Sequence, residues 1–280
     1  MWLLHFLPLA LLARLGEALG MTLYALGAER RRVCFINLAR CFPALARTER
    51  ARLARRHFRA VGRSILERGI LWWSPRDRLT RLVRLEGFEH FTAAKGGPVI
   101  LLAPHFVSLD VGFARIACDV DCTGLYAHQK SKVMNRMLLK GRTRFGNQRV
   151  FSRQAGIKPV LKALEQGLPL YYLPDQDYGP RDALFVPFFG VPAATITGVA
   201  RLARLTKARV VPCVTRMLKG GAGYELRCYP AWEDFPSEDL LADTRRMNEF
   251  IEERVREMPE QYLWTHKRFK TRPHGESKWY

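Results

Sequence analysis

The sequence predicts an α/β fold: a single domain with a central mixed, largely parallel sheet flanked by helices, plus an N-terminal hydrophobic membrane-anchoring helix. Three observations support this. From about Leu85 onward, short apolar runs alternate with stretches of helical spacing, as expected of strands joined by crossover helices. Two of the apolar runs stop abruptly at proline, at Ala103-Pro104-His105 and Leu173-Pro174-Asp175. The first 26 residues are mostly apolar, interrupted by Arg14 and Glu17.

Residues 1–28 form the expected membrane-associated helix and 29–280 the α/β domain. The uncharged part before Arg14 is short for a spanning helix, which needs about 20 residues. No positive region precedes it, unlike a secretory signal. Arg30-Arg31-Arg32 follow it, and cations flanking an apolar helix mark the cytoplasmic side. The expectation is a helix lying in, or marginally spanning, a bilayer. A basic helical region comes next, interrupted by Pro43. Thr48-Glu49-Arg50 then opens a helix to Leu71, with Leu53, Phe58, Val61, Ile65 and Leu66 at helical spacing. Beyond it, strands are expected at 98–103, 122–127, 168–173, 209–215 and 224–229. Helices are expected at 107–118, 134–145, 158–166, 197–205 and 240–258. No repeat or low-complexity linker divides the chain.

Composition bounds the function. With 280 residues, 48% of them hydrophobic, the chain can bury a sizeable core; 26% charged residues exclude a multi-span membrane protein. The 46 Lys and Arg outnumber 26 Asp and Glu, giving +20. Such a field draws polyanions: nucleic acid, an anionic lipid surface or an acidic carrier protein. The six cysteines include no C-x-x-C pair, which predicts buried reduced thiols and a cytoplasmic setting. Cys118 and Cys122 have the wrong spacing for zinc, so no metal site is expected.

The candidate chemistry sits at strand ends, where open α/β sheets place their sites. His105 and Asp110 could form a base and its orienting carboxylate. Five residues apart on a helix they would diverge by about 140°, so they can meet only if His105 precedes the helix. Ser108 lies in no G-x-S-x-G elbow, which makes a structural or capping role the better reading. Arg142 and Arg144 offer guanidinium forks for phosphate or a developing oxyanion. Asp175, Asp177 and Arg181 belong to a turn suited to binding a hydroxylated substrate; its two carboxylates and one amide make a poor metal cage. The apolar run 184–189 fits an acyl-chain pocket or, more commonly, ordinary core. Residues 259–273 mix aromatics and cations, as at a membrane interface. No nucleic-acid motif is present, and the apolar N-terminus points to lipid rather than nucleic acid as partner.

His105-x-x-x-x-Asp110 resembles the catalytic motif of the glycerolipid and lysophospholipid acyltransferase superfamily. Its companions are Asn37-Leu38, Cys41-Phe42-Pro43, Arg142-x-Arg144-x-Gly146, Pro174-Asp175-Gln176-Asp177-Tyr178-Gly179, Val186-Pro187-Phe188-Phe189-Gly190, Val211-Pro212 and the segment from Glu260 to Pro273. Together, in this order, they resemble the late acyltransferases of bacterial lipid A biosynthesis. The resemblance implies an enzyme on the cytoplasmic face of the cell inner membrane. It would move a fatty acyl group from acyl carrier protein to a hydroxyl of an anionic lipid A precursor, with no other cofactor. It also implies His105 as general base, Asp110 as its partner, and Arg142 and the 175–177 turn as substrate contacts. Many members of the family carry glutamate where Asp110 stands, and the shorter side chain has a shorter reach. The alternatives are an acyltransferase using another lipid acceptor (lysophospholipid, ornithine lipid or mannosylated lipid) and a non-catalytic basic protein that binds membranes or nucleic acid.

Overall fold

The computed structural model describes all 280 residues, Met1–Tyr280. A 3₁₀ turn over Trp2–Phe6 leads to Pro8, after which α1 runs Leu9–Leu26. The chain turns at Gly27 into α2, Ala28–Cys41, and Pro43 prevents its continuation. Helix α3, Arg47–Leu66, begins where the Glu49 carboxylate accepts from the Ala46 N–H at 2.8 Å.

Helix α1 lies against α3 through Leu12, Ala13, Gly16 and Gly20. The backbones approach so closely that no Cβ fits: one on Gly62 would stand 2.1 Å from the Gly16 carbonyl oxygen, and one on Gly16 2.5 Å from the Arg63 Cα. The other side of α1 exposes Leu11 and Leu15, continuing the exposed Trp2, Leu3 and Phe6. This helix is long and apolar enough to cross a membrane. Gly62→Ala is expected to push α1 off α3, costing about 1–3 kcal/mol. Thermal denaturation should show a Tm lowered by roughly 3–10 °C. Gly96→Ala, where an added Cβ meets nothing within 4 Å, should leave Tm unchanged; equal melting of the two variants would count against the close helix contact.

Three short elements, α4 (Arg68–Trp73), α5 (Arg76–Leu82) and β1 (Val83–Glu86), lead through α6 (Phe88–Ala94) to β2 (Val99–Leu102). There follow α7 (Leu109–Asp119), β3 (Thr123–Tyr126), α8 (Lys132–Arg142), β4 (Arg149–Ser152), α9 (Lys158–Glu165) and β5 (Leu170–Tyr172). A hairpin, β6 (Ala183–Phe188) and β7 (Val191–Ile196), precedes α10 (Gly198–Thr206), β8 (Arg209–Met217), β9 (Tyr224–Cys228) and α11 (Leu240–Glu257).

Seven strands form one mixed sheet in the order β1-β9-β8-β2-β5-β3-β4. Only the β8–β9 pair is antiparallel. All four residues of β2 are buried because the sheet is covered on both faces, as a central parallel strand requires. Ile100 and Leu102 join one core, with Phe106, Phe188 and Trp264; Val99 and Leu101 join the other, with Phe91 and Phe113. The six cysteines are buried and unpaired.

Most expected helices and strands are present within a few residues; the helix expected to run to Leu71 breaks at Glu67 into α3 and α4, and α5, β1, β4, α6 and the β6–β7 hairpin are additional. β1 and β4 carry charged residues and stand at the sheet's edges, where one side of each strand is open. Helix α6 links β1 to β2. The apolar run 184–189 is part of the β6–β7 hairpin, with Val186 and Phe188 buried and Phe185 40% exposed. It is core on one face and surface on the other.

Candidate active site

β2 and β5 are parallel neighbours with Leu102 opposite Tyr172. Both strands leave the sheet through one apolar residue and a proline, so His105 and Asp175 emerge side by side, each three residues beyond the paired positions. His105 Nδ1 lies 2.7 Å from Asp175 Oδ1, and the His105 backbone N–H donates to Asp175 Oδ2 at 2.9 Å. Nδ1 therefore carries the proton, and Nε2 is the nitrogen with lone pair free to accept one. The turn is clamped from the C-terminal segment. Val107 N–H donates to the Gln261 carbonyl at 2.8 Å, and Leu263 N–H to the His105 carbonyl at 3.0 Å.

Burial would raise the Asp175 pKa, but the charge and hydrogen bonds of His105, with the charge of Arg268, hold it below the ordinary carboxylate value. Asp175 is 1% exposed. The buried Arg268 donates to the Ala194 carbonyl and the Thr195 hydroxyl, at 2.9 and 2.8 Å.

A cavity of about 390 Å³ opens in front of His105. Its walls are apolar at Leu125, Leu138, Leu173 and Leu263 and cationic at Arg68, Arg142 and Arg153. The Arg153 guanidinium lies 3.7 Å over the Tyr178 ring. Asp110 organises the other two cations. Its Oδ1 accepts from Arg142 Nε and Nη2 at 3.1 and 2.7 Å, and its Oδ2 stands 3.7 Å from Arg68. Burial pushes the Asp110 carboxyl up, while Arg142 and Arg68 outweigh it and leave its pKa lowered.

The expected residues are thus redistributed. His105 precedes α7, as the spacing argument requires, but the carboxylate on its Nδ1 is Asp175 and not Asp110. Asp110 lies in the first turn of α7, and its oxygens are taken by guanidiniums on α8 and α4. Arg144 lies outside the cavity lining, donating to the Leu71 and Ser74 carbonyls at 2.8 and 2.6 Å and closing the C-terminus of α4. The Asp177 oxygens accept from Gly179 N–H, Thr271 N–H and the Thr271 hydroxyl at 2.9, 2.6 and 2.8 Å, which ties the turn to the C-terminal segment. Arg181 is exposed on the turn before β6, outside the cavity. Ser108 donates to the Thr215 carbonyl at 2.8 Å, a structural role. Arg68 and Arg153 are cavity cations that sequence reasoning did not single out. Arg153 follows an edge strand that the sequence did not reveal, and Arg68 is one of many arginines on a basic helical stretch.

A sheet that delivers one oriented imidazole to a cavity with apolar walls and several guanidiniums has the equipment for transferring a group to a hydroxyl. Known proteins make the class specific. The family described as bacterial lipid A biosynthesis acyltransferase matches residues 1–271. The chain is 35% identical to the lipid A biosynthesis lauroyltransferase of Escherichia coli K12 over 279 residues, covering 98% of this chain and 90% of that protein. It is 32% identical to the palmitoleoyltransferase of the same organism, covering 100% and 92%, and 33% identical to the myristoyltransferase, covering 95% and 82%. A solved structure, the 1-acyl-sn-glycerophosphate acyltransferase PlsC of Thermotoga maritima, aligns at a TM-score of 0.40 and 17% identity, covering 89% of this chain and 97% of that one. The chain belongs to the bacterial lipid A biosynthesis acyltransferase family, and it is an acyltransferase.

Proposed function

We propose that this protein moves a fatty acyl group from acyl carrier protein to a hydroxyl of a lipid A precursor at the cytoplasmic face of the inner membrane, with His105 as general base. The carrying observation is the imidazole held at Nδ1 by a buried carboxylate, 2.7 Å away, at the wall of the cavity. His105 Nε2 takes the hydroxyl proton as that oxygen attacks the thioester carbonyl. Arg142 stands at the cavity wall to meet the developing oxyanion. Collapse of the tetrahedral intermediate breaks the C–S bond, and the proton on Nε2 passes to the leaving thiolate. A thiol of pKa roughly 8.5 leaves readily, so no separate strong acid is needed. The leucines of the cavity wall suit an acyl chain. The +20 charge suits an acidic donor and a phosphorylated acceptor, and the exposed apolar side of α1 suits membrane attachment.

Mass spectrometry of a phosphorylated lipid A precursor incubated with the protein and acyl carrier protein loaded with a fatty acid should show the mass of one added ester-linked acyl group. A precursor left unchanged by this donor, while lysophospholipid or ornithine lipid is acylated, would move the assignment to another acceptor. Acyl-coenzyme A serving equally well, at a rate indifferent to salt, would remove the carrier protein from it.

A further inference from the structure

Beside the reaction cavity, along the outward face of α8, lies an open cleft of about 550 Å³. Lys132, Arg136 and Lys140 recur every four residues, which places them on one helical stripe, and all three line the cleft with His128. No carboxylate lines it. Residues 122–164 hold ten Lys or Arg and no Asp or Glu, so the local field is strongly positive. Arg142 is the one cation of α8 held in an ion pair, to Asp110; the three stripe cations are exposed and make none.

Two further observations say what kind of anion fits. The cleft shares Gln129, Asn135 and Leu139 with the reaction cavity, so a ligand held there continues directly toward His105. The surroundings are also lipid-like. Val133 and Met134, on the same helix, are 74% and 42% exposed. Helix α8 packs on α4, which packs on the Trp2–Phe6 turn with its exposed Trp2, Leu3 and Phe6. Exposed apolar side chains thus stand beside the cations of α8 and again on the N-terminal turn that packs on the neighbouring α4, the composition of a surface that meets lipid headgroups.

We propose that the Lys132–Arg136–Lys140 cleft binds the phosphate-bearing headgroup of the acceptor lipid and presents its hydroxyl to His105, a role that rests on the acyl-transfer reading above. The stripe holds phosphate by charge-assisted hydrogen bonds, while Val133 and Met134 lie against the acyl chains.

The test is the exposed triple variant Lys132→Gln/Arg136→Gln/Lys140→Gln. Its binding to detergent micelles carrying a lipid A precursor is compared with wild type, the precursor being either phosphorylated or enzymatically dephosphorylated. Affinity for the phosphorylated lipid, and the KM for it, should worsen about tenfold or more. Binding of the dephosphorylated lipid, kcat and the KM for acyl carrier protein should stay unchanged. Equal loss on both lipids, or a raised KM for the carrier protein alone, would overturn the headgroup assignment. Displacement of the lipid by inorganic phosphate at equal concentration would overturn it too, in favour of a site for the free anion. Wild-type protein that binds the phosphorylated lipid through these residues but transfers nothing supports the cleft and removes the acyl-transfer reading instead.

Discussion

Replacing His105 by alanine is expected to lower kcat for acyl transfer by about 10²–10⁴-fold, with little change in KM and the fold retained. The loss follows from chemistry at one atom. With Nδ1 committed to Asp175, Nε2 is the acceptor left for the hydroxyl proton, and no other histidine lines the cavity. The fold survives because Asp175 is not stranded. Its Oδ2 still accepts the backbone N–H of residue 105, at 2.9 Å in the wild type, and the turn remains clamped by the Gln261 and Leu263 backbone. Steady-state kinetics beside a thermal melt would check this. Near wild-type turnover at saturating substrate would sink the base assignment, whereas activity lost together with the melting transition would show that His105 holds the turn.

The strands that matter were legible in the sequence because buried parallel strands read as unbroken apolar runs. So was the placement of His105 ahead of its helix. The identity of its partner was not. Asp110 is near in sequence, and the local spacing drew attention to it. Asp175 lies 70 residues away and is brought in by strand pairing. The signal was nonetheless present: Leu101-Leu102-Ala103-Pro104-His105 and Tyr171-Tyr172-Leu173-Pro174-Asp175 share one pattern. Two apolar strands that stop at the same distance before proline deliver their next side chains to one place if they are adjacent and parallel. Adjacency is a property of the whole sheet, and no short window of sequence states it.

The remaining redistributions have one cause. An arginine or aspartate near a site motif reads as a ligand contact, yet buried backbone polar groups also demand partners. Arg144 answers the carbonyls at the end of α4, and Asp177 the N–H groups of the 177–179 turn and of Thr271. Such demands depend on which loop ends lie nearby. The glycines at 16, 20 and 62 tell the same story for α1. Their spacing hints at a close contact, but only the packed helices show that the apolar N-terminal segment presents one face to the protein and leaves the other free.

Asparagine at positions 175 and 110 should separate the two carboxylates. Asp175→Asn is expected to lower kcat by about 10²–10⁴-fold, because an amide can donate to Nδ1 and drive the imidazole proton onto Nε2, where the base must be free. Asp110→Asn leaves the imidazole tautomer alone and loosens Arg142 and Arg68, so about tenfold is expected, with Arg142→Ala losing a similar factor and the double variant little more. Stability offers a second test of the Asp175 contact. The Asp175 carboxyl is held below its ordinary pKa by His105 and Arg268 against the opposing effect of burial. Its contribution is therefore complete above the unfolded value of about 3.9 and is lost as pH falls through the folded value. Urea denaturation should show wild-type stability falling more steeply below about pH 4 than that of Asp175→Asn. Equal slopes would mean that His105 does not hold this carboxylate ionised. Asp110→Asn as damaging to kcat as Asp175→Asn, without the change in Arg142 coupling, would return the imidazole to Asp110 in the working enzyme.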